Sequence, residues 1–93
     1  MANSAKKLSK DLLIINELGL HARSAALIAK LAQNARSKVW IIKDGEKADA
    51  ASIIDILSLS CPKDTRIKLT IDNYVDINIL EDISNLVEEG FGE

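Results

Sequence analysis

The dipeptide Asp44-Gly45 constrains the fold of this 93-residue chain more than any other feature. It separates a β-rich segment, residues 38–43, from a second extended segment, residues 46–49. Asp-Gly between extended segments is typical of a type I′ turn, which joins neighbouring antiparallel strands. The sequence therefore predicts a β-hairpin near the middle of the chain.

Strand and helix patterns occur on both sides of this hairpin. The apolar run "LLII" indicates a buried strand over residues 11–17, and the strict alternation of residues 66–71 indicates a strand with one face in the core. Apolar residues recur at intervals of three and four in the alanine-rich segment 22–35 and again over residues 79–87. Both patterns predict amphipathic helices.

A shorter helix is indicated between the hairpin and the last strand. Ser52 precedes an Ile- and Leu-rich run, and Asp55 follows three residues later, in an acidic variant of the capping box. Pro62 cannot continue a helix, so we expect this one to end near Ser60.

The resulting order, β-α-β-β-α-β-α, is a double split βαβ followed by a helix. Right-handed crossovers place the connecting helices on the same face of the sheet. We expect an α+β open-faced sandwich with a four-stranded antiparallel sheet and three helices on one face. Residues 1–93 are expected to form a single domain, with residues 1–10 as a short flexible lead.

Composition excludes several classes of function. The net charge is −2 and the pI about 5.4, and Trp40, Tyr74 and Phe91 are the only aromatic residues, so a nucleic-acid surface is not expected. The lone Cys61 excludes an internal disulfide and is typical of a reducing cytoplasm. One Cys and one His do not make a structural zinc site, and no apolar run is long enough for a signal peptide or a membrane span. We expect a cytoplasmic protein without metal or cofactor.

His21 is the only histidine, and it lies where the first strand gives way to the first helix. The start of a helix has unpaired N–H groups and a partial positive charge, which keep a nearby imidazole neutral and attract anions. Arg23 adds a guanidinium that fits phosphate oxygens. This set has a nucleophile and an anion site but lacks a second acid or base, so it favours a phosphoryl carrier over a hydrolase. The alternative is that His21 is a surface loop residue and Arg23 a solvated charge.

The motif "GLHARS", residues 19–24, resembles the active-site signature of HPr, the histidine-containing phosphocarrier family of the bacterial phosphotransferase system. The resemblance extends over residues 11–89 and includes the central Asp-Gly, the serine before the short helix and the order of elements. It implies that His21 accepts a phosphoryl group on Nδ1 from phosphorylated enzyme I and passes it to an enzyme IIA domain. It also implies that Arg23 pairs with the phosphate, that Ala22 and Arg23 donate main-chain hydrogen bonds, and that the protein is a carrier and not an enzyme.

Ser24 departs from the family, which usually has proline after the arginine. Serine restores an N–H and adds a hydroxyl, so one hypothesis gives Ser24 an additional hydrogen bond to the phosphate on His21. The alternative is a neutral substitution of the capping type.

Ser52 has two predicted roles. As a helix cap it pairs with a first-turn N–H. The resemblance implies a regulatory role as well, because an HPr kinase phosphorylates the matching serine in many relatives and so weakens transfer to the histidine.

The resemblance also implies an apolar docking patch around the histidine. Its predicted members lie on the first and second helices: Ala26, Leu27, Ile53, Ile54 and Leu57. Lys30 is expected at the rim, while Gln33 occupies a place that is often basic in relatives. The alternative is that several of these side chains are core.

Other functions remain open at this level. A nitrogen-related branch of the family shares the same chemistry and would act by docking to partner proteins, with Ser52 phosphorylation as its control. An enzyme that acts alone on a phosphate ester is disfavoured, because a second histidine, a metal cluster and a Gly-rich loop are lacking. The protein is expected to be a monomer.

Overall fold

The computed structural model describes residues 8–93. Over this part of the chain the strands and α-helices follow the expected order: β1 (Ser9–Leu13), α1 (Ala22–Ala32), β2 (Val39–Lys43), β3 (Glu46–Asp49), α2 (Ile53–Ser58), β4 (Arg66–Ile71) and α3 (Ile77–Glu88). Short 3₁₀ segments, Tyr74–Asp76 and Gly90–Gly92, flank α3.

The strands form one antiparallel sheet in the order β1-β4-β2-β3. Alternate side chains of the strands, among them Leu12, Ile41 and Leu69, are buried in one core with the apolar faces of the helices. The predicted open-faced sandwich is confirmed. The predicted hairpin is also confirmed, since Asp44 and Gly45 join β2 to β3 with positive φ at both residues.

The face of the sheet that the helices leave uncovered carries the single tryptophan. The Trp40 ring is partly exposed, its Nε1 donates to Asp72 at 3.1 Å, and the Lys47 ammonium lies 4.3 Å from the ring centroid. The core beneath the helices is instead built from aliphatic side chains together with Phe91.

The predicted ends of several elements were wrong. β1 includes Ser9 and Lys10, which pair with Thr70 and Leu69 of β4, so the expected lead over residues 1–10 is too long. Residues 1–7 of that lead lie outside the described part of the chain. β1 ends at Leu13 and not at residue 17, because its pairing with β4, not its apolar run, sets its length.

The first two helices are shorter than expected. α1 ends at Ala32 and not at residue 35, since the next N–H groups turn to carbonyls three residues back, as in the bond from Ala35 N to Ala32 O at 3.0 Å. α2 ends at Ser58, and Ser60 has a positive φ of 57°, which the α-helix does not allow.

Ser52 caps α2, as predicted. Its Oγ accepts a hydrogen bond from the Asp55 N–H at 3.2 Å. The reciprocal half of a capping box is lacking, because the Asp55 carboxylate accepts from Asp49 N at 3.4 Å and the Ser52 N–H donates to Asp49 O at 3.0 Å. The predicted capping box is therefore present only in its Ser52 half.

Candidate functional site

His21 is the N-cap residue of α1. Its backbone is extended, with φ −114° and ψ −176°, and its carbonyl accepts the first helical hydrogen bond from Ala25 N at 2.8 Å. The His21 side chain is 27% exposed. The chain thus holds its single imidazole at the surface, at the positive end of a helix dipole.

Gly19 fixes the loop that leads into His21. Its φ is +65°, and a Cβ added there would lie 2.4 Å from the Cys61 carbonyl oxygen. That carbonyl accepts a hydrogen bond from Leu20 N at 2.8 Å. The loop before His21 is therefore pressed against the segment that follows α2, an approach that only glycine allows.

The imidazole has a partner from the far end of the described chain. His21 Nε2 lies 2.5 Å from Glu93 Oε2, and Asn16 Nδ2 donates to Glu93 Oε1 at 3.0 Å and to Gly19 O at 2.8 Å. Hydrogen bonds from Asn16 and His21, together with the positive charge of Arg23, hold the pKa of the Glu93 carboxyl below its usual value. Neither Asn16 nor Glu93 was predicted as a site residue, because contacts across 72 and 77 residues leave no local pattern in the sequence.

The main-chain groups expected to bind phosphate lie beside the imidazole. Ala22 and Arg23 occupy the first two positions of α1, where backbone N–H groups have no acceptor within the helix, and both residues are exposed. Because Nε2 is turned toward Glu93, Nδ1 is the ring nitrogen on the side of this helical turn. A group bound to Nδ1 would thus lie beside the start of α1, where such donors are available.

The Ser24 hydroxyl does not have the position expected of a phosphate donor. Ser24 is fully buried, its Oγ accepts from His21 N at 2.9 Å, and its hydroxyl hydrogen is shared between the carbonyls of Gly19 at 3.1 Å and His21 at 3.2 Å. These contacts support the capping alternative. The hydroxyl stabilises the start of α1 from the buried side and is already hydrogen-bonded there, whereas the Ser24 N–H faces the imidazole.

Ser52 lies at the opposite end of α1 from His21. The side chain of Gln33, just after α1, donates to the Ala51 carbonyl at 3.1 Å, whereas the segment after α2 meets the loop before His21 through Leu20 and Cys61. α1 and α2 are therefore antiparallel. The helix between His21 and Gln33 spans roughly 18 Å at about 1.5 Å per residue.

The predicted docking residues lie on neighbouring helices and reach the surface. Ile54 is 79% exposed, and the other large members are also exposed: Leu27, Ile53 and Leu57. Ala26 is partly exposed and Lys30 exposed. The alternative that these side chains are core is therefore wrong. Leu18, 64% exposed in the loop before His21, is a further exposed apolar side chain and was not predicted.

No three His, Cys, Asp or Glu side chains within residues 8–93 are grouped so that they could hold a metal ion. No helix in the same range is long and apolar enough to span a membrane.

Comparison with known proteins places this fold, with its helix-capping histidine, in the class of small histidine phosphocarriers. The family model PTS-HPr, described as the PTS HPr component phosphorylation site, matches residues 8–89. The chain belongs to the HPr family of the phosphotransferase system.

The similar proteins include both an HPr and an NPr. The phosphocarrier protein HPr of Cupriavidus necator is 34% identical over 86 residues, which cover 92% of this chain and 97% of that protein. The phosphocarrier protein NPr of Shewanella violacea is 34% identical over 87 residues, covering 94% of this chain and 96% of that protein.

Solved structures show the same fold. The crystal structure of HPr-C-His from Thermoanaerobacter tengcongensis has a TM-score of 0.86 and 34% identity, covering 91% of this chain and 96% of that one. An HPr dimer from the same organism has a TM-score of 0.73 and 32% identity, with full coverage of both chains.

Proposed function

We propose that the protein is a phosphoryl carrier, and not an enzyme acting alone, whose acceptor atom is Nδ1 of His21. The observation that carries the proposal is the position of His21 as the partly exposed N-cap of α1, with Nε2 turned toward Glu93 and the side chain facing the Ser24 N–H in the first turn of α1. A helix start of this kind binds a phosphate group through main-chain donors and the helix dipole.

Transfer to the carrier requires one bond to form and one to break. The Nδ1 lone pair attacks phosphorus, and the bond between phosphorus and the donor breaks, with its electron pair leaving on the donor. Arg23 and the first-turn N–H groups bind the phosphoryl oxygens during and after transfer. The reverse of this sequence delivers the group to the next acceptor.

The proposed donor is phosphorylated enzyme I, and the proposed acceptor is an enzyme IIA domain. The apolar surface of Leu27, Ile53, Ile54 and Leu57 supports docking of both, since it lies on the two helices whose ends meet beside His21. In this proposal the carrier acts in the cytoplasm. It acts there as a monomer, because a self-association that covered this apolar surface would block the binding of its partners. Light scattering at the protein concentration used for phosphorylation measures the molar mass and so tests whether the protein is a monomer.

A regulatory role within the nitrogen-related branch is the second candidate. It is supported by the 34% identity to the NPr of Shewanella violacea, equal to that found for the HPr of Cupriavidus necator. Whether the protein is a phosphoryl carrier or a nitrogen-related regulator, phosphorylation of Ser52 by an HPr kinase would change its docking to partner proteins. Docking is the step affected because Ser52 is at the far end of α1 from the imidazole. Incubation with an HPr kinase and ATP, followed by peptide mapping, tests the modification.

The direct test is intact-mass analysis after incubation with phosphoenolpyruvate, magnesium and the cognate enzyme I. The wild type should gain one acid-labile phosphate, and His21→Ala should gain none. Arg23→Ala should be phosphorylated more slowly. A wild type that gains no phosphate, or a His21→Ala variant that gains one, contradicts the proposal.

A further inference from the structure

The contact between His21 and Glu93 joins the proposed nucleophile to a carboxylate outside the signature motif. The Nε2 to Oε2 distance is 2.5 Å, and the Glu93 side chain is only 14% exposed. A carboxylate that accepts a hydrogen bond from one nitrogen of an imidazole determines which nitrogen carries the proton. In the serine proteases, an aspartate holds its histidine in the reactive tautomer in this way.

Glu93 is in its ionised form in this contact. The hydrogen bond from Asn16, the hydrogen bond from His21 and the nearby charge of Arg23 lower the pKa of its carboxyl. An ionised carboxylate accepts hydrogen bonds and donates none. The hydrogen between the two groups therefore belongs to Nε2 of His21.

Asn16 holds Glu93 in place. Its Nδ2 donates to both Glu93 Oε1 and Gly19 O, at 3.0 and 2.8 Å, while its buried Oδ1 has no hydrogen-bond partner within residues 8–93. The reversed amide would place an oxygen against two acceptors, so the neighbours fix its orientation. The amide leaves an acceptor unpaired and directs both of its hydrogens to the loop and to Glu93.

We propose that Glu93 is a positioning residue that holds neutral His21 as the Nε2–H tautomer and leaves the lone pair on Nδ1. This role rests on the proposed phosphoryl transfer and adds to it the group that selects the reacting nitrogen. During transfer the Nδ1–P bond forms, the bond from phosphorus to the donor breaks, and Nε2 keeps its hydrogen. The positive charge that the ring then gains is adjacent to the Glu93 carboxylate.

The test combines a spectroscopic signature with a rate. The ¹⁵N-labelled wild type, Glu93→Gln, Glu93→Asp and the control Glu88→Gln are compared by long-range ¹H–¹⁵N correlation of the imidazole, at a pH where the ring is neutral. Glu88 is exposed in the last turn of α3, so the control removes the same charge from the same region. Phosphorylation by enzyme I is measured on the same samples.

The wild type and Glu88→Gln should show the Nε2–H tautomer. In Glu93→Gln the new amide would offer its oxygen to Asn16 and its NH₂ to Nε2 of His21. This variant should therefore shift the ring toward Nδ1–H and slow phosphorylation by roughly tenfold. Glu93→Asp keeps the carboxylate, so it should retain part of the Nε2–H tautomer and part of the wild-type phosphorylation rate.

An unchanged tautomer and rate in Glu93→Gln would overturn the role of Glu93, as would an Nδ1–H wild type. A slower rate with an unchanged tautomer would also overturn it, since it would show an effect of charge or structure alone. A wild type with the Nε2–H tautomer that takes no phosphate would contradict the carrier function, while a change of tautomer in Glu93→Gln would still support the positioning contact.

Discussion

The hydroxyl oxygen of Ser24 accepts a hydrogen bond from the backbone N–H of His21 at 2.9 Å. Ser24, which stands where the family usually has proline, thereby stabilises the backbone of His21 from the buried side. Ser24 is fully buried, so its hydroxyl cannot reach a phosphoryl group at the surface without leaving the core.

Ser24→Ala should therefore affect stability more than chemistry. The loss of this capping contact is expected to lower the free energy of unfolding by about 1 kcal/mol, whereas the hydrolysis rate of phosphorylated His21 should change by less than about twofold. Urea denaturation and the decay of the phosphoprotein measure the two effects. Ser58→Ala, an exposed serine in α2, is the control and should change both little. Faster hydrolysis in Ser24→Ala at unchanged stability would restore the phosphate role of the hydroxyl.

Gly19→Ala should be strongly destabilising. The added Cβ would meet backbone atoms of Cys61 and Pro62 at 2.4 to 2.9 Å, in addition to the cost of positive φ. Gly45→Ala has a φ of +82° with no atom within 4 Å of the added Cβ, so it measures the conformational cost alone. We expect about 1 kcal/mol for Gly45→Ala and at least about 2 kcal/mol more for Gly19→Ala by urea denaturation. Equal losses in the free energy of unfolding would show that the loop before His21 shifts to make room for the added Cβ at no cost in stability.

The position of Ser52 determines how a charge there should act. Ser52→Asp keeps a good N-cap, so the stability of the fold should be retained, whereas Ser52→Ala should lose about 1 kcal/mol. Because Ser52 is at the far end of α1, the aspartate should raise the KM for enzyme I by about threefold to fivefold, with little change in kcat. Steady-state phosphorylation kinetics measure this. A fall in kcat at unchanged KM would indicate that the charge acts on the imidazole itself.

The apolar patch can be tested at its most exposed member. Ile54→Glu should leave thermal stability nearly unchanged, since the side chain is 79% exposed, and should raise the KM for enzyme I by about tenfold. Val75→Glu is the matched control, because Val75 is 52% exposed and lies in the 3₁₀ segment before α3. Its neighbour Asp76 binds the turn after α1. The same increase in both variants would mean that added negative charge, and not loss of the patch, weakens docking.

Asp76 should contribute to the acid sensitivity of the fold. Burial opposes ionisation of its carboxyl, but hydrogen bonds from the Ser37 hydroxyl and from the backbone N–H groups of Arg36 and Ser37 outweigh burial and lower its pKa. A carboxyl whose pKa is lower in the folded state stabilises the fold above its unfolded pKa of about 3.9, and this contribution is lost as the pH falls through the folded pKa.

Asp76→Asn should therefore be destabilised at pH 7, by about 2 kcal/mol, and the difference from the wild type should shrink below about pH 4. Urea denaturation across this pH range measures the difference, with the exposed Asp82→Asn as the control. A difference that stays constant down to about pH 2 would contradict the assigned role of the carboxylate.

Local sequence patterns predicted the order of elements, because alternation, helical spacing and Asp44-Gly45 are properties of short segments. They did not predict strand ends, which depend on pairing with a distant partner, as Ser9 does with Thr70. His21 was identified because its motif is local, while Asn16 and Glu93 were missed because only the folded chain brings them to the imidazole. The sequence left both roles of Ser24 open, because burial of its hydroxyl depends on packing that one residue type does not reveal.

The phosphoryl-carrier role of His21 is tested most directly by the identity of the phosphorylated atom. The ¹⁵N-labelled chain would be phosphorylated with phosphoenolpyruvate and enzyme I, and the ³¹P–¹⁵N coupling of the product would be measured by NMR. We expect phosphorus bonded to Nδ1 of His21, with the hydrogen on Nε2. Phosphorus on Nε2, or on any other residue, would contradict this expectation.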